Sequence, residues 1–224
     1  MKNPKIFIAC DTTSTKKTRQ IIKVSQKSKI NFGYKFGLEF LNSKNGRKFL
    51  SNQKNIITFG DYKLADIPNT CVSTLRAVKD LKLNYITIHI SSGLKAIKAV
   101  KKASGSTKIV GVTILTSLDN KSLKEIGFDK NVKKLVTHQA KLAVKAKLDA
   151  IVCSPQEVKL VKKIFKKEII TPGIRLAGDS KGDQRRVMTP KQAFQNGATS
   201  LVMGRSLIKG KIEQNIKKLV KELS

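Results

Sequence analysis

The stretch whose reading decides the fold is FGDYKLADIPNT, residues 59–70. Asp61, Lys63 and Asp66 stand within six positions of one another, directly after the apolar run NIITF at 55–59. That run reads as a buried strand, and charges at the end of a buried strand need either water or one another. Asp61 and Lys63 are two apart, so on a strand both point to the same side. Asp66 falls past the strand end, on a loop. Pro68 suits the first turn of a helix, expected to be the third of the chain.

Working outward, seven further apolar runs flank this one: KIFIACD (5–11), INFGYKFG (30–37), YITIHIS (85–91), KIVGVTILT (108–116), AIVCS (150–154), EIITPGIR (168–175) and SLVMGRS (200–206). Most are nearly continuous in apolarity, as strands covered on both faces must be. Between them lie lysine-studded stretches with apolar residues at helical spacing, such as Leu94, Ile97 and Val100. Eight strand–helix units without a linker-like stretch imply an α/β fold, a (β/α)8 TIM barrel formed as a single domain over residues 1–224. A doubly wound open sheet is the rival architecture. The GxGxxG and GxxxxGK[ST] loops that often accompany it are missing.

In a barrel the C-terminal strand ends build the active site. The polar residues at those ends are Asp11, Lys35, Asp61 with Lys63, His89, Thr116, Ser154, Arg175 and Arg205. Lys35 is a natural neighbour for Asp61. An alternating set of two ammonium and two carboxylate groups, Lys35, Asp61, Lys63 and Asp66, satisfies its own charges and holds a lysine protonated in a tight site. The plainer alternative is an ion-pair network that closes the barrel top. Desolvation offsets most of what such a network contributes to stability, so buried charge at a mouth is better explained by chemistry.

The last two strands carry a different signal. PGIR, DQRR and GR follow one another at 172–175, 183–186 and 204–205. Barrel phosphate sites often use the loops after strands 7 and 8. Gly204 lets a ligand approach the backbone beside Arg205. The segment from Arg175 to Gln184 holds Gly178 and Gly182 and reads as a mobile lid. The dipeptide GR is common in itself; the order of the three elements gives the weight.

Bulk composition bounds the function classes. The formal net charge is +31, with 46 Lys and Arg against 15 Asp and Glu. Lysines recur through nearly every helical stretch instead of forming one patch, aromatic residues are 5% and there is no Trp, so the charge reads as solvated helix faces and not as a nucleic-acid site. Cys10, Cys71 and Cys153 form no CxxC or Cys/His cluster, so neither a disulfide nor a metal site is expected. MKNPKIFIACD has too short an apolar run for a signal peptide. No stretch approaches the ~18 apolar residues of a membrane span. The expectation is a cytoplasmic protein that binds no membrane. Of the two histidines, His138 reads as a surface or packing residue and His89 as a group behind the catalytic ones.

Together these residues resemble the orotidine 5′-monophosphate decarboxylase family, over essentially the whole chain. The D-x-K-x-x-D-I-P-N-T signature is met by Asp61, Lys63, Asp66, Ile67, Pro68, Asn69 and Thr70, and the K-x-G-x-E element by Lys35, Gly37 and Glu39. GVTILTS and PGIR…DQRR…GR match the fifth-strand and phosphate-end segments. The resemblance implies cofactor-free and metal-free decarboxylation, with Lys63 as proton donor to C6, flanked by Asp61, and with Lys35 and Asp66 completing the charged tetrad. It implies that Asp66, Ile67 and Thr70 reach into the site of a second subunit in a homodimer. Thr116 is placed on the pyrimidine ring, Asp11 and Lys35 on the ribose region, and Gln184, Gly204 and Arg205 on the phosphate, with Arg175 at the same end. Gly60, Leu176 and the ACDTTST end of the first strand depart from the family pattern.

The chemistry fits the residue types. Loss of CO2 from C6 leaves a carbanion that the ring delocalises poorly, and a fixed cation both stabilises and protonates it. Two rivals share some of the signals. Hexulose-6-phosphate synthase and keto-gulonate-phosphate decarboxylase-like barrels use the same D-x-K-x-x-D scaffold with Mg²⁺ and a further acidic ligand near strand 2, where only Glu39 stands. A basic RNA-binding protein is the rival of another class.

Overall fold

All eight apolar runs become strands in the structure, a computed structural model that describes residues 5–179 and 187–224. The strands are β1 (Lys5–Ala9), β2 (Asn31–Phe36), β3 (Ile57–Leu64), β4 (Tyr85–His89), β5 (Lys108–Val112), β6 (Ala150–Val152), β7 (Glu168–Thr171) and β8 (Ser200–Met203). Each pairs in parallel with its neighbours in sequence, and β8 returns to β1, so the sheet closes into an eight-stranded barrel. The (β/α)8 expectation holds, and the open-sheet rival fails because a closed barrel has no edge.

Between the strands run α1 (Thr15–Ser25), α2 (Leu38–Leu41), α3 (Gly46–Ser51), α4 (Pro68–Ala77), α5 (Gly93–Ala103), α6 (Asn120–Glu125), α7 (Val132–Lys145), α8 (Val158–Ile164), α9 (Pro190–Gln195), α10 (Arg205–Ile208) and α11 (Ile212–Leu223). Pro68 does open the helix after the signature stretch. That helix is the fourth and not the third, because the second crossover folds as two short helices. Local side chains fix several starts: Ser14, Asp119 and Asn131 accept from backbone amides in the first turns of α1, α6 and α7. Thr189 and Gln192 form a reciprocal capping box at α9.

Strand alternation divides the core into two parts. Outward-facing residues such as Ile6, Ile8, Ile86, Ile88 and Ile109 pack under the helices in one large apolar layer. Inward-facing Phe7, Phe59 and Tyr85 fill the barrel, with ring centroids 5.1, 5.2 and 5.7 Å apart, alongside Val110, Ala150, Ile170 and Val202. Gly33 pairs with Phe7 across β1 and β2, and a Cβ there would come within 2.6 Å of the Phe7 ring.

The N-terminal end of the barrel is closed by polar groups at the strand starts. Tyr85 donates to Glu168 at 3.0 Å, Ser200 donates to the same carboxylate at 2.8 Å, and Lys108 lies 3.5 Å away. The cavity bordered by the inward-facing strand ends opens at the C-terminal end. Among the described residues no helix is long and apolar enough to cross a membrane.

Candidate active site

Charged residues stand at the C-terminal ends of three neighbouring strands. β1 runs out at Asp11, β2 presents Lys35, and β3 presents Asp61 and Lys63. They form a row of alternating sign. Lys35 Nζ lies 3.3 Å from Asp11 Oδ1 and 3.4 Å from Asp61 Oδ2, and Lys63 Nζ donates to Asp61 Oδ2 at 2.7 Å. All four border a cavity of about 280 Å³ whose floor is Phe59, Val112, Val152 and Val202. Apolar below and charged on one wall, it has the make-up of a small-molecule site.

Asp61 and Lys35 keep their charges in spite of their burial. Burial opposes the charge on Asp61, yet Lys35 and Lys63, together with hydrogen bonds from Lys63 and Thr87, hold its pKa below the ordinary aspartate range. Burial likewise opposes the Lys35 ammonium, and Asp61 and Asp11 outweigh it, so the Lys35 pKa stands above the ordinary lysine value. His89, at the end of β4, is pushed the other way: burial and the nearby Lys63 charge lower its pKa, so it is neutral at pH 7.

The backbone at this point is not a regular strand. Lys63 has φ of +49°, and the β3–β4 register shifts between Gly60 and Leu64. Strand parity alone therefore does not place Lys63 beside Asp61; a left-handed turn does.

Across the cavity stand Arg175 and Arg205. Arg175 is buried and donates to the Ile174 carbonyl at 3.0 Å; its burial and the like charge of Arg205 lower its pKa. Two guanidinium groups at close quarters favour an anion between them. Gly204 lies beside them, and a Cβ there would meet Ala9 at 3.5 Å and Asp11 at 3.7 Å, ordinary contacts. Packing within the chain does not require this glycine; what its bareness provides is room along the cavity wall.

The sequence profile of the orotidine 5′-phosphate decarboxylase/HUMPS family matches residues 4–218. The chain belongs to this family. It is 39% identical over 214 residues to an orotidine 5′-phosphate decarboxylase of Erythrobacter litoralis, covering 93% of both chains. Identity is also 39% over 215 residues to that of Coxiella burnetii, covering 92% of this chain and 90% of the relative. The solved orotidine 5′-phosphate decarboxylase of Lactobacillus acidophilus superposes with a TM-score of 0.81 at 26% identity, over 99% of this chain and 100% of that one.

Against the family signature, the structure draws together Asp11, Lys35, Asp61, Lys63, Thr116, Ser154, Arg175, Gly204 and Arg205 around one cavity. It does not bring Asp66 to the row within one chain. Asp66 is exposed, accepts from the Ile67 amide at 2.7 Å, and lines a separate depression with Ile67, Pro68 and Ser92. The fourth member of the alternating row inside a single chain is Asp11. Ile67 is 66% exposed and Thr70 lies on the open side of α4. Gln184, the DQRR element and the second half of the expected lid, from residue 180 on, lie outside the described residues.

The departures from the family pattern have local causes. At Gly60 a Cβ would come within 2.7 Å of Leu83 and 2.9 Å of the Tyr62 ring, so Tyr62 and Leu83 use the space a larger residue would need. Leu176 is buried in the outer apolar layer. Cys10 is fully buried under α1, and burial pushes its thiol pKa up to about 12, so it is an inert packing group. Cys153 is buried as well and borders the cavity; none of the three cysteines is in a disulfide. His138 is exposed on α7. Among the described residues no three His, Cys, Asp or Glu side chains gather as a metal site, and Glu39 is exposed and away from the cavity.

Two features escaped the sequence reading. Asp11 was expected only at the ribose and proves to be a direct partner of Lys35. Thr87, unmarked in the sequence, bonds both Asp61 and the Lys63 backbone. Its signal was present: in YITIHIS it is a polar residue at the same parity as Tyr85 and His89.

Proposed function

We propose that the chain is an orotidine 5′-phosphate decarboxylase, converting orotidylate to UMP and CO2 without cofactor in pyrimidine nucleotide synthesis. The observation that carries this reading is the alternating Asp11–Lys35–Asp61–Lys63 row on one wall of an apolar cavity, with two arginines on the other side. That arrangement suits a nucleotide whose pyrimidine lies over Phe59 and the valines, with its ribose near Asp11 and Lys35 and its phosphate at Arg175, Gly204 and Arg205. Thr116 hydrogen-bonds the ring, and Gln184 joins the phosphate.

In this reading the bond from C6 to the carboxylate breaks, CO2 leaves, and the electron pair stays on C6. The Lys63 ammonium faces that developing charge and then gives it a proton, forming the C6–H bond of UMP. Fixed positive charge aimed where negative charge appears needs no reorganisation during reaction. Asp61, ionised beside Lys63, orients the ammonium. Crowding of Asp61 against the substrate carboxylate adds a contribution only if the ground state is raised. The phosphate is remote from the breaking bond, and its binding energy orients the reacting end.

The whole chain acts as one catalytic domain, and the working unit is a homodimer in the cytoplasm. The exposure of Ile67 and Thr70, and the position of Asp66 outside its own chain's cavity, support a role for these residues in the partner's site. Asp66 joins the charged tetrad there. Purified protein in excess EDTA is expected to remove the absorbance of orotidylate and release UMP. A requirement for Mg²⁺, with activity on a sugar phosphate instead, would transfer the chain to the hexulose-phosphate branch of the family.

A further inference from the structure

Thr87 is fully buried in β4, inside the barrel. Its hydroxyl makes two bonds at once. Oγ1 accepts the backbone N–H of Lys63 at 2.7 Å and donates its proton to Asp61 Oδ1 at 3.1 Å. One hydroxyl has one proton to give and lone pairs left to accept with, so both bonds are satisfied together. They occur where the β3–β4 ladder shifts register and where Lys63 adopts φ of +49°. A residue with a Cβ enters that region only against steric cost and persists there only when its surroundings hold it.

The remaining contacts of Asp61 come from the opposite side. Oδ2 is taken by Lys35 and Lys63, while Oδ1 accepts the Thr87 hydroxyl. The carboxylate plane is thus set from both edges, and the Thr87 end also sets the peptide from which the Lys63 side chain departs.

We propose that Thr87 is a positioning residue for decarboxylation: its hydroxyl couples the left-handed backbone of Lys63 to the orientation of Asp61 and so aims the Lys63 ammonium into the cavity. The proposal rests on the decarboxylase reading of the site. A purely structural role, in which Thr87 merely occupies an irregular stretch of ladder, makes different predictions.

The test compares Thr87→Val, which keeps the branched shape but has no hydroxyl, with Thr87→Ser, which keeps Oγ. Orotidylate turnover by Thr87→Val is expected to fall roughly 10- to 100-fold in kcat, because a misaimed donor loses near-attack geometry. KM is expected to change by less than about twofold, as the lost interaction acts on the transition state. Asp61 loses a bond to its charged form, so the acid limb of the kcat profile moves to higher pH. Thr87→Ser restores most of kcat and the original acid limb. Wild-type kcat in Thr87→Val overturns the proposal, as does a loss that follows the melting temperature and is not restored by serine. Amide exchange at Lys63 reads the same coupling without turnover: protection in wild type and Thr87→Ser and its loss in Thr87→Val is the expected result, and equal protection in all three overturns it. A wild-type chain inactive on orotidylate defeats the decarboxylase reading, and amide exchange then still decides whether Thr87 holds Lys63.

Discussion

Lys63 Nζ sits 2.7 Å from Asp61 Oδ2 although the chain between them leaves the strand conformation, with φ of +49° at Lys63. Asp61 in turn lies 3.4 Å from Lys35, so one carboxylate stands between two ammonium groups. Its removal affects both of them.

Asp61→Asn leaves Lys35 with Asp11 alone and takes from Lys63 its close carboxylate. Loss of stability is expected to be about 2–3 kcal/mol, between the small value of an exposed pair and that of a fully buried one. Denaturant melts check this. Turnover is expected to fall by roughly 10²- to 10³-fold, as when a preorganised electrostatic group is removed from other active sites. A variant as stable and active as wild type contradicts the central place given to Asp61.

The pH dependence follows from the direction of each shift. The Asp61 pKa is lowered from 3.8, so its contribution to stability is present above 3.8 and lost as pH falls through the lower folded value. The Lys35 pKa is raised from 10.5, so its contribution is present below 10.5 and lost as pH rises through the higher folded value. His89 has the opposite sense to Lys35. Its pKa is lowered from 6.5, so the unfolded chain takes up the proton first and stability declines as pH falls from 6.5 toward the folded value. Denaturation midpoints measured against pH are expected to show this last slope in wild type and not in His89→Gln.

Gly33→Ala tests the barrel interior. Its Cβ would lie 2.6 Å from a Phe7 ring that Phe59 and Tyr85 hold on their sides, so the ring has little freedom to yield. Overpacking of this kind is expected to cost about 1–3 kcal/mol, read as a lower melting temperature. An unchanged melt means that the aromatic packing gives way more easily than the geometry implies.

Much of the barrel was legible because its signals are local. Strands covered on both faces must be apolar throughout, which made YITIH and AIV recognisable; strand parity put Asp61 and Lys63 on one side, and Lys35 was expected beside Asp61 from its place at a strand end. Short crossovers carry weaker signals. The Leu38–Leu41 and Gly46–Ser51 helices span a few residues each, too few for a helical period, so the helix at Pro68 was given the wrong ordinal. The site was legible where charged residues end strands. It was less so where a bond depends on register: the Asp11–Lys35 pair joins residues 24 apart, and the Thr87 bonds depend on a ladder shift that sequence spacing does not reveal. Asp66 was read as lying past the strand end, on a loop, and it is exposed there, beyond Leu64 at the end of β3.

The most direct test of the account is single-turnover decarboxylation of orotidylate by wild type and Lys63→Ala, with binding of the product UMP measured in parallel. The account predicts that Lys63→Ala binds UMP within about tenfold of wild type and loses nearly all decarboxylation, since the lysine acts after binding. Near-normal formation of UMP and CO2 by that variant contradicts it.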